Sequence, residues 1–418
     1  MVLTKLAKSS SLRAAMGFGM GGVAFALGNL LLARSMPVSE YGRYALAVAI
    51  YNIFWTIAAL GFDEASLRHS DRLDRMVFVR IIISGVIMGG VACVVGHWLY
   101  GLDADLLLLL GVAIVAGGLS SVASAMLRRE GQHTAPLLIN NAANWAVMTS
   151  ALASLALDLH TAVFALAVLM ITVTLAAAVG WVRALQEQAS IAVERQHVPL
   201  REAVSFVSIV ASGSILLQLE RMVAPMALGV DALASFAVLA SVALFPYRML
   251  RAGAIFSLVP KLRGAANLQE RNHVLVHELG AVLFVLVGAS IGVLLLSAPL
   301  TYFVTGGKYE LPLVLVVAAC VNGAAKVIAG VQNAVVTACG TESDVASLKW
   351  LTWVMITGGV IGAWAGSVYG LAGLVTGAGI GSLIGALPCM YLAYQVLRRE
   401  QMPEGQASPM DAANLPVG

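Results

Sequence analysis

Long, uninterrupted apolar stretches separated by short polar segments run the length of the chain. Each is near the ~20 residues that a helix needs to cross a hydrocarbon core about 30 Å thick. On that measure helices are expected over about 14–33, 44–66, 78–99, 105–127, 136–157 and 161–182, and again over about 203–228, 232–257, 279–301, 311–336, 348–367 and 371–396. The stretches lack the apolar-polar alternation of a membrane β-barrel strand, and helices are the other way to satisfy every backbone group in lipid. The pattern predicts an all-α integral membrane protein of about twelve transmembrane helices.

The most polar segment inside the chain, Gln186 to Arg201, divides these spans into two sets of six. The expected organisation is an N-terminal six-helix lobe over 1–184, a linker over 185–202, a C-terminal six-helix lobe over 203–397, and a disordered tail over 398–418. The polar loop from Lys261 to Glu278 is expected to hold a short helix lying on the membrane surface. A weak internal repeat supports two halves. The segment Val38 to Ala47 can be laid on Val230 to Leu239, so that an acid-containing turn precedes the second span of each half and Tyr44 stands opposite Phe236. Six spans separate the copies, an even number, which makes the halves parallel repeats about an axis along the membrane normal.

Composition agrees with the pattern. The 418 residues are 60% hydrophobic and only 11% charged, with mean hydropathy +0.88. A soluble domain carries about 25% charged residues, so this chain cannot coat a globule of its size. Ala24-Phe25-Ala26 could pass for a signal-peptidase site, but the apolar run continues past it and no soluble domain follows, so cleavage is not expected. Cys93, Cys320, Cys339 and Cys389 are scattered through apolar spans, which suits packing rather than a metal site or disulfide framework. With the N-terminus inside, eighteen of the 25 Lys and Arg residues fall in cytoplasmic segments. Only Arg34, Arg43 and Lys308 fall opposite, and the remaining four lie in or near span edges. Lys and Arg accumulate on the cytoplasmic side, so both termini are expected in the cytoplasm.

Those four are Arg221, Arg248, Arg251 and Lys326, all in the second half. A charge at the bilayer centre costs roughly 2.5–3.5 kcal/mol on translocon scales, so such residues usually face a bundle interior or wet cavity. Asn322, Lys326 and Asn333 share one face of the tenth span, the stripe expected of a cavity lining. Arg221 adjoins Glu220 about 100° around the helix, so the two need not pair. Arg248 and Arg251 share a face but fall ~25–30 Å beyond Asp231, which fits either a cationic cavity or ordinary anchoring at the cytoplasmic boundary. Asn140, Asn141, Asn144 and Trp145 form a stripe on the fifth span, open to sugar contact or to hydrogen bonding between helices. Asp63 and Glu64 end the second span and are placed to pair with Arg68 and Arg72. The cations suit an anionic substrate, because a guanidinium pairs phosphate oxygens two at a time.

Several turns carry a resemblance. Gly17-Phe18-Gly19, the run Leu32 to Tyr44 with Tyr41-Gly42-Arg43-Tyr44, and Gly61-Phe62 are similar to the opening of Wzx-type polysaccharide biosynthesis proteins. That family belongs to the multidrug/oligosaccharidyl-lipid/polysaccharide (MOP) exporter superfamily. Glu220-Arg221, Leu228-Gly229, Phe236-Ala237, Gly306-Gly307-Lys308-Tyr309 and Tyr369 to Leu374 extend the resemblance through the second half, with Glu220 in place of the usual Asp and Phe236 in place of the usual Tyr. The resemblance implies a V-shaped two-lobe bundle in the bacterial inner membrane. It would flip an undecaprenyl-diphosphate-linked oligosaccharide for O-antigen, capsule or exopolysaccharide synthesis, alongside a polysaccharide polymerase and glycosyltransferases. The alternative is a cation-coupled multidrug antiporter of the same superfamily, which would favour acidic and aromatic cavity residues. A membrane-embedded enzyme would need large outer loops and clustered catalytic groups, and none is expected here. No nucleotide fingerprint, phosphate-gripping glycine loop, nucleophile elbow or metal spacing occurs, so neither an ATP-driven mechanism nor a cofactor is expected, and no nucleic-acid partner. Energy must then come from an ion gradient or from substrate flux. Glu220, Asp63 and Glu64 are the candidate ion-coupling acids.

Overall fold

The computed structural model describes residues 10–66, 75–130, 132, 134–189, 200–265 and 267–399. Among these the chain is helical and without strands. The first half comprises α1 (Ser10–Ser35), α2 (Val38–Ala58), the short α3 (Phe62–Ala65), α4 (Arg75–Tyr100), α5 (Ala104–Arg129), α6 (Thr134–Asn140), α7 (Ala142–Leu157) and α8 (Ala162–Ala189). The second half comprises α9 (Leu200–Leu228), α10 (Val230–Leu239), a π-helical turn (Ala240–Leu244), α11 (Phe245–Gly264), α12 (Leu268–Thr305), α13 (Leu313–Cys339) and α14 (Glu342–Gly366). A 3₁₀ turn (Ser367–Tyr369), α15 (Gly370–Gly385) and α16 (Leu387–Arg398) complete it.

Seven described helical segments are long and apolar enough to cross a membrane. Helices occupy the other expected spans as well, but some are broken or shorter, so twelve crossings remain a reading of the sequence. The second span is cut where Leu60 and Gly61 take left-handed backbone (φ 52° and 70°), leaving Asp63 and Glu64 on the separate α3. The fifth breaks at Asn141, whose side chain bonds the Leu137 carbonyl, and the twelfth at Ala386. Among the described residues no separate surface helix lies between Lys261 and Glu278. Asn267 instead caps α12 by accepting from Glu270 N at 2.8 Å, and the helix runs from there without interruption for 38 residues. At 1.5 Å per residue that is about 57 Å, longer than a hydrocarbon core is thick. The central part of the expected linker, most of the tail, and Arg68 and Arg72 lie outside the described residues.

Helices α1–α8 pack mainly among themselves, and so do α9–α16. The tightest pair is α14 and α15, where Gly358, Gly362 and Gly366 face Gly381, Gly377 and Gly373. A Cβ at Gly362 would stand 2.1 Å from the Gly377 carbonyl oxygen, so these backbones approach as only glycine allows. The two groups meet chiefly where α2 lies along α9 and α10. The repeated segments touch there: a Cβ on Gly42 would fall 2.5 Å from the Val230 carbonyl oxygen. At this end Tyr100 Oη donates to the Met222 carbonyl at 2.9 Å, and Lys308 donates to the carbonyls of Ala33 and Met36 at the end of α1. Such a lysine neutralises the negative end of the α1 dipole. Large apolar side chains cover the outer surface, with Trp98, Phe284, Phe303 and Tyr369 more than four-fifths exposed, as a lipid-facing surface requires.

Candidate functional site

The sequence puts Glu220 and Arg221 on α9 among buried Leu216, Leu219, Val223 and Ala224, and the fold closes the second half around them. Glu220 is 1% exposed and Arg221 2%. Four-residue spacing places Asn322 and Lys326 on one face of α13, and both reach the same carboxylate. Lys326 Nζ stands 2.7 Å from the Glu220 carboxylate, and Asn322 Nδ2 donates to Glu220 Oε1 at 2.7 Å. The amide also donates to the Val375 carbonyl of α15 at 3.0 Å. That reach depends on Gly379, where a Cβ would sit 2.7 Å from the Asn322 Cα. Glu220 therefore joins three helices of the second half.

Arg221 makes no hydrogen bond to this pair, although Glu220 lies within its electrostatic reach. Its Nη1 donates to Gln218 Oε1 at 3.3 Å, and its buried Nε has no partner. It lies within electrostatic reach of Arg248 and of Tyr41 and Tyr44 on α2.

The π-helical turn positions the other two arginines. One extra residue per turn rotates the helix beyond it by about 100° relative to an unbroken α-helix, and Pro246, which lacks an N–H, follows directly. Beyond it Tyr247 lies across Gly323 and bonds Ser290 Oγ at 2.8 Å, and the Arg251 side chain lies against Gly330 of α13. Arg248 stands within electrostatic reach of Glu220, Lys326 and Arg221. Arg251 thus lies against α13 and Arg248 within reach of the Glu220–Lys326 pair, both half-buried.

Four cations share this region with one carboxylate, which Lys326 bonds and Arg221 and Arg248 reach electrostatically. Arg221 Nε, Arg248 Nη2, Arg251 Nε, Asn322 Oδ1 and Asn333 Oδ1 are buried without a hydrogen-bond partner. A buried polar atom left unpaired costs about 1–3 kcal/mol, and more if charged. Such a cluster is stabilised by whatever supplies negative charge and acceptors, which is what a phosphoryl group offers.

The remaining candidates lie elsewhere. Asn140 is exposed at the end of α6, and Asn144 donates to Asn141 Oδ1 at 2.9 Å within its own half, beside Gly21 of α1. Asp63 accepts from Ser121 Oγ at 2.7 Å and from the Glu64 amide at 3.0 Å, while Glu64 is exposed. The sequence pattern does not single out Gln218, Gln332, Tyr41, Tyr44 or Tyr247. Gln218 and Gln332 carried a signal as amides inside apolar spans, whereas the tyrosines look like ordinary core residues. Two apolar grooves, of about 490 Å³ between α4, α5 and α8 and about 330 Å³ between α12, α13 and α16, open on the membrane-facing surface. No group of three or more metal-ligating side chains occurs among the described residues.

Comparison with known proteins bears on the whole chain. A profile described as polysaccharide biosynthesis protein matches residues 31–311. No curated protein sequence matches. Among solved structures, the lipid II flippase MurJ in an inward closed conformation superposes with a TM-score of 0.65 at 11% identity, covering 92% of this chain and 87% of that one. An inward-facing multidrug resistance MATE family transporter of the MOP superfamily gives 0.64 at 14% identity, covering 90% and 94%. The MATE multidrug transporter DinF-BH gives 0.59 at 14% identity, covering 94% and 95%. At these identities the likeness establishes the fold.

Proposed function

The chain belongs to the polysaccharide biosynthesis protein family, and on that premise we propose that it flips a lipid-linked oligosaccharide across the bacterial inner membrane by alternating access. It is a multi-pass helical membrane protein with the fold of MOP-superfamily transporters, and a transporter rather than an enzyme. The observation that carries the finer reading is the cluster of buried Arg221 and Lys326 with half-buried Arg248 and Arg251 near the acid Glu220. A diphosphate joining lipid and glycan is the substrate group whose charge and oxygens match it. In this reading the lobes are 1–184 and 203–397, the linker and both termini are cytoplasmic, and Asn322 and Asn333 belong to the cavity face. Asn140 and Asn144 take part only where the lobes part enough to admit the glycan. A polysaccharide polymerase and glycosyltransferases are the partners such a substrate implies.

Glu220 is the proposed coupling group. Bound to Lys326 it holds α9, α13 and α15 together. Its protonation or the arrival of the anionic head would release the lysine, giving two arrangements that a gradient or substrate can bias. Cation-drug antiport is the less favoured reading, since the intramembrane charge is overwhelmingly positive. Replacing Lys326 or Arg221 by Gln is expected to reduce glycan export severalfold at normal protein abundance. Unimpaired export by both single variants and the double variant would refute the mechanism.

A further inference from the structure

The groove between α12, α13 and α16 has a built polar feature on an otherwise apolar wall. Its sides are formed by Leu279, Leu283 and Leu286 of α12, Val331 of α13 and Tyr394 of α16. Helix α12 is barely embedded in the fold, with 6% of its most apolar window buried, so this side of the second half meets lipid. Gln332 also lines the groove. It is 6% exposed, and neither its amide oxygen nor its amide nitrogen has a partner. An apolar chain alone leaves that amide unsatisfied.

The groove ends among cations. Arg271 lies one turn before Leu275, a residue lining the groove, and is 3% exposed with its Nε unpartnered. It is within electrostatic reach of Cys339 at the end of α13, where the helix dipole offsets part of its charge but provides no hydrogen bond to Nε. Arg398 follows Leu397, another lining residue, and its guanidinium rests 4.4 Å over the Tyr394 ring. Gln332 is seven residues from the end of α13, about 10 Å along the axis, the separation between a lipid's phosphate level and its upper acyl region. An apolar slot with an unmet amide part-way down, and two arginines a turn or less beyond its lining residues Leu275 and Leu397, complements a molecule with an apolar chain, a carbonyl and an anionic head.

We propose that this groove binds one acyl chain of an anionic membrane phospholipid, with Arg271 and Arg398 on its phosphate and Gln332 donating to its ester carbonyl. The site is independent of the cargo and of the cationic cluster, from which α13 separates it. Bound lipid braces the loosely packed α12 against α13 and α16.

The test is native mass spectrometry of delipidated full-length protein in neutral detergent, titrated with phosphatidylglycerol or with phosphatidylcholine of the same chains. Wild type is expected to hold one phosphatidylglycerol at least fivefold more tightly than phosphatidylcholine. Arg271→Gln/Arg398→Gln should remove that preference, and Val331→Trp, which fills the slot, should remove retention of both lipids. Arg398→Gln alone, at an exposed position, should lower the preference about twofold and carries the test should the double variant not fold. Equal retention of the two lipids by wild type, or an unchanged preference in the arginine variants, would overturn the proposal. So would displacement of phosphatidylglycerol by undecaprenyl phosphate, which would assign the groove to a cargo chain. Loss of export with Arg221→Gln or Lys326→Gln bears only on the cationic cluster and leaves this result unaffected.

Discussion

The Glu220–Lys326 pair gives a prediction whose sign depends on its surroundings. Breaking an isolated buried pair costs about 3–5 kcal/mol whichever partner is removed, because the other is left charged in an apolar medium. Here the two deletions differ. Glu220→Gln removes the one acid from a cluster of four cations, leaving Lys326 without its 2.7 Å partner and within reach of Arg248 and Arg251. The full ~3–5 kcal/mol is expected. Lys326→Met removes one of four cations. Glu220 keeps the 2.7 Å bond from Asn322 and the attraction of Arg248, and repulsion among the arginines falls. The expected loss is about 1.5–3 kcal/mol, the scale of one hydrogen bond to a charged group. Thermal midpoints in detergent, read from the fluorescence of the seven tryptophans, should rank wild type above Lys326→Met and that variant above Glu220→Gln. The double variant should be more stable than Glu220→Gln alone, a positive coupling in the cycle. A Lys326→Met protein as unstable as Glu220→Gln, or additive losses in the double variant, would show that the arginines do not act on this pair.

Gly362→Ala would drive a Cβ to 2.1 Å from the Gly377 carbonyl oxygen and is expected to cost about 1–3 kcal/mol, whereas Gly253→Ala meets open space and should be neutral or slightly stabilising by the same thermal assay. Cysteines introduced at Glu187 and Gly405 should resist a membrane-impermeant thiol reagent in intact cells and one at Asp103 should react; the reverse pattern would overturn the topology. In proteoliposomes Glu220→Gln should abolish acceleration by a pH gradient while sparing gradient-independent exchange, and a full response in that variant would move coupling to Asp63, Glu64 or no protein acid.

The helices were legible because lipid leaves the backbone no other arrangement, and the four intramembrane cations because each is costly where it stands. Their partners were not. Lys326 and Glu220 are 106 residues apart, and the helix order that joins them is set by packing such as Gly379 on Asn322, which a single sequence does not display. Arg248 and Arg251 were open to two environments because counting residues from Asp231 treats the helix as regular. The π-helical turn at Ala240–Leu244 alters which way they face. The surface helix expected after Lys261 was inferred from polarity alone. The capping bond of Asn267 shows instead a helix start whose polar first turns lead directly into the span. Asn140 and Asn144 illustrate the limit of stripe reading, since periodicity gives a face without saying what lies opposite.

The central claim is that the cationic cluster of the second half carries an anionic lipid head across the membrane. It is tested most directly by translocation of a fluorescent undecaprenyl-diphosphate oligosaccharide in proteoliposomes, comparing wild type with Arg221→Gln/Arg248→Gln. The account predicts that wild type moves the lipid between leaflets and that the variant, reconstituted to equal density and folded, does so at least tenfold more slowly. Equal rates for the two proteins, or no movement by wild type above empty liposomes under any ion gradient, would contradict it.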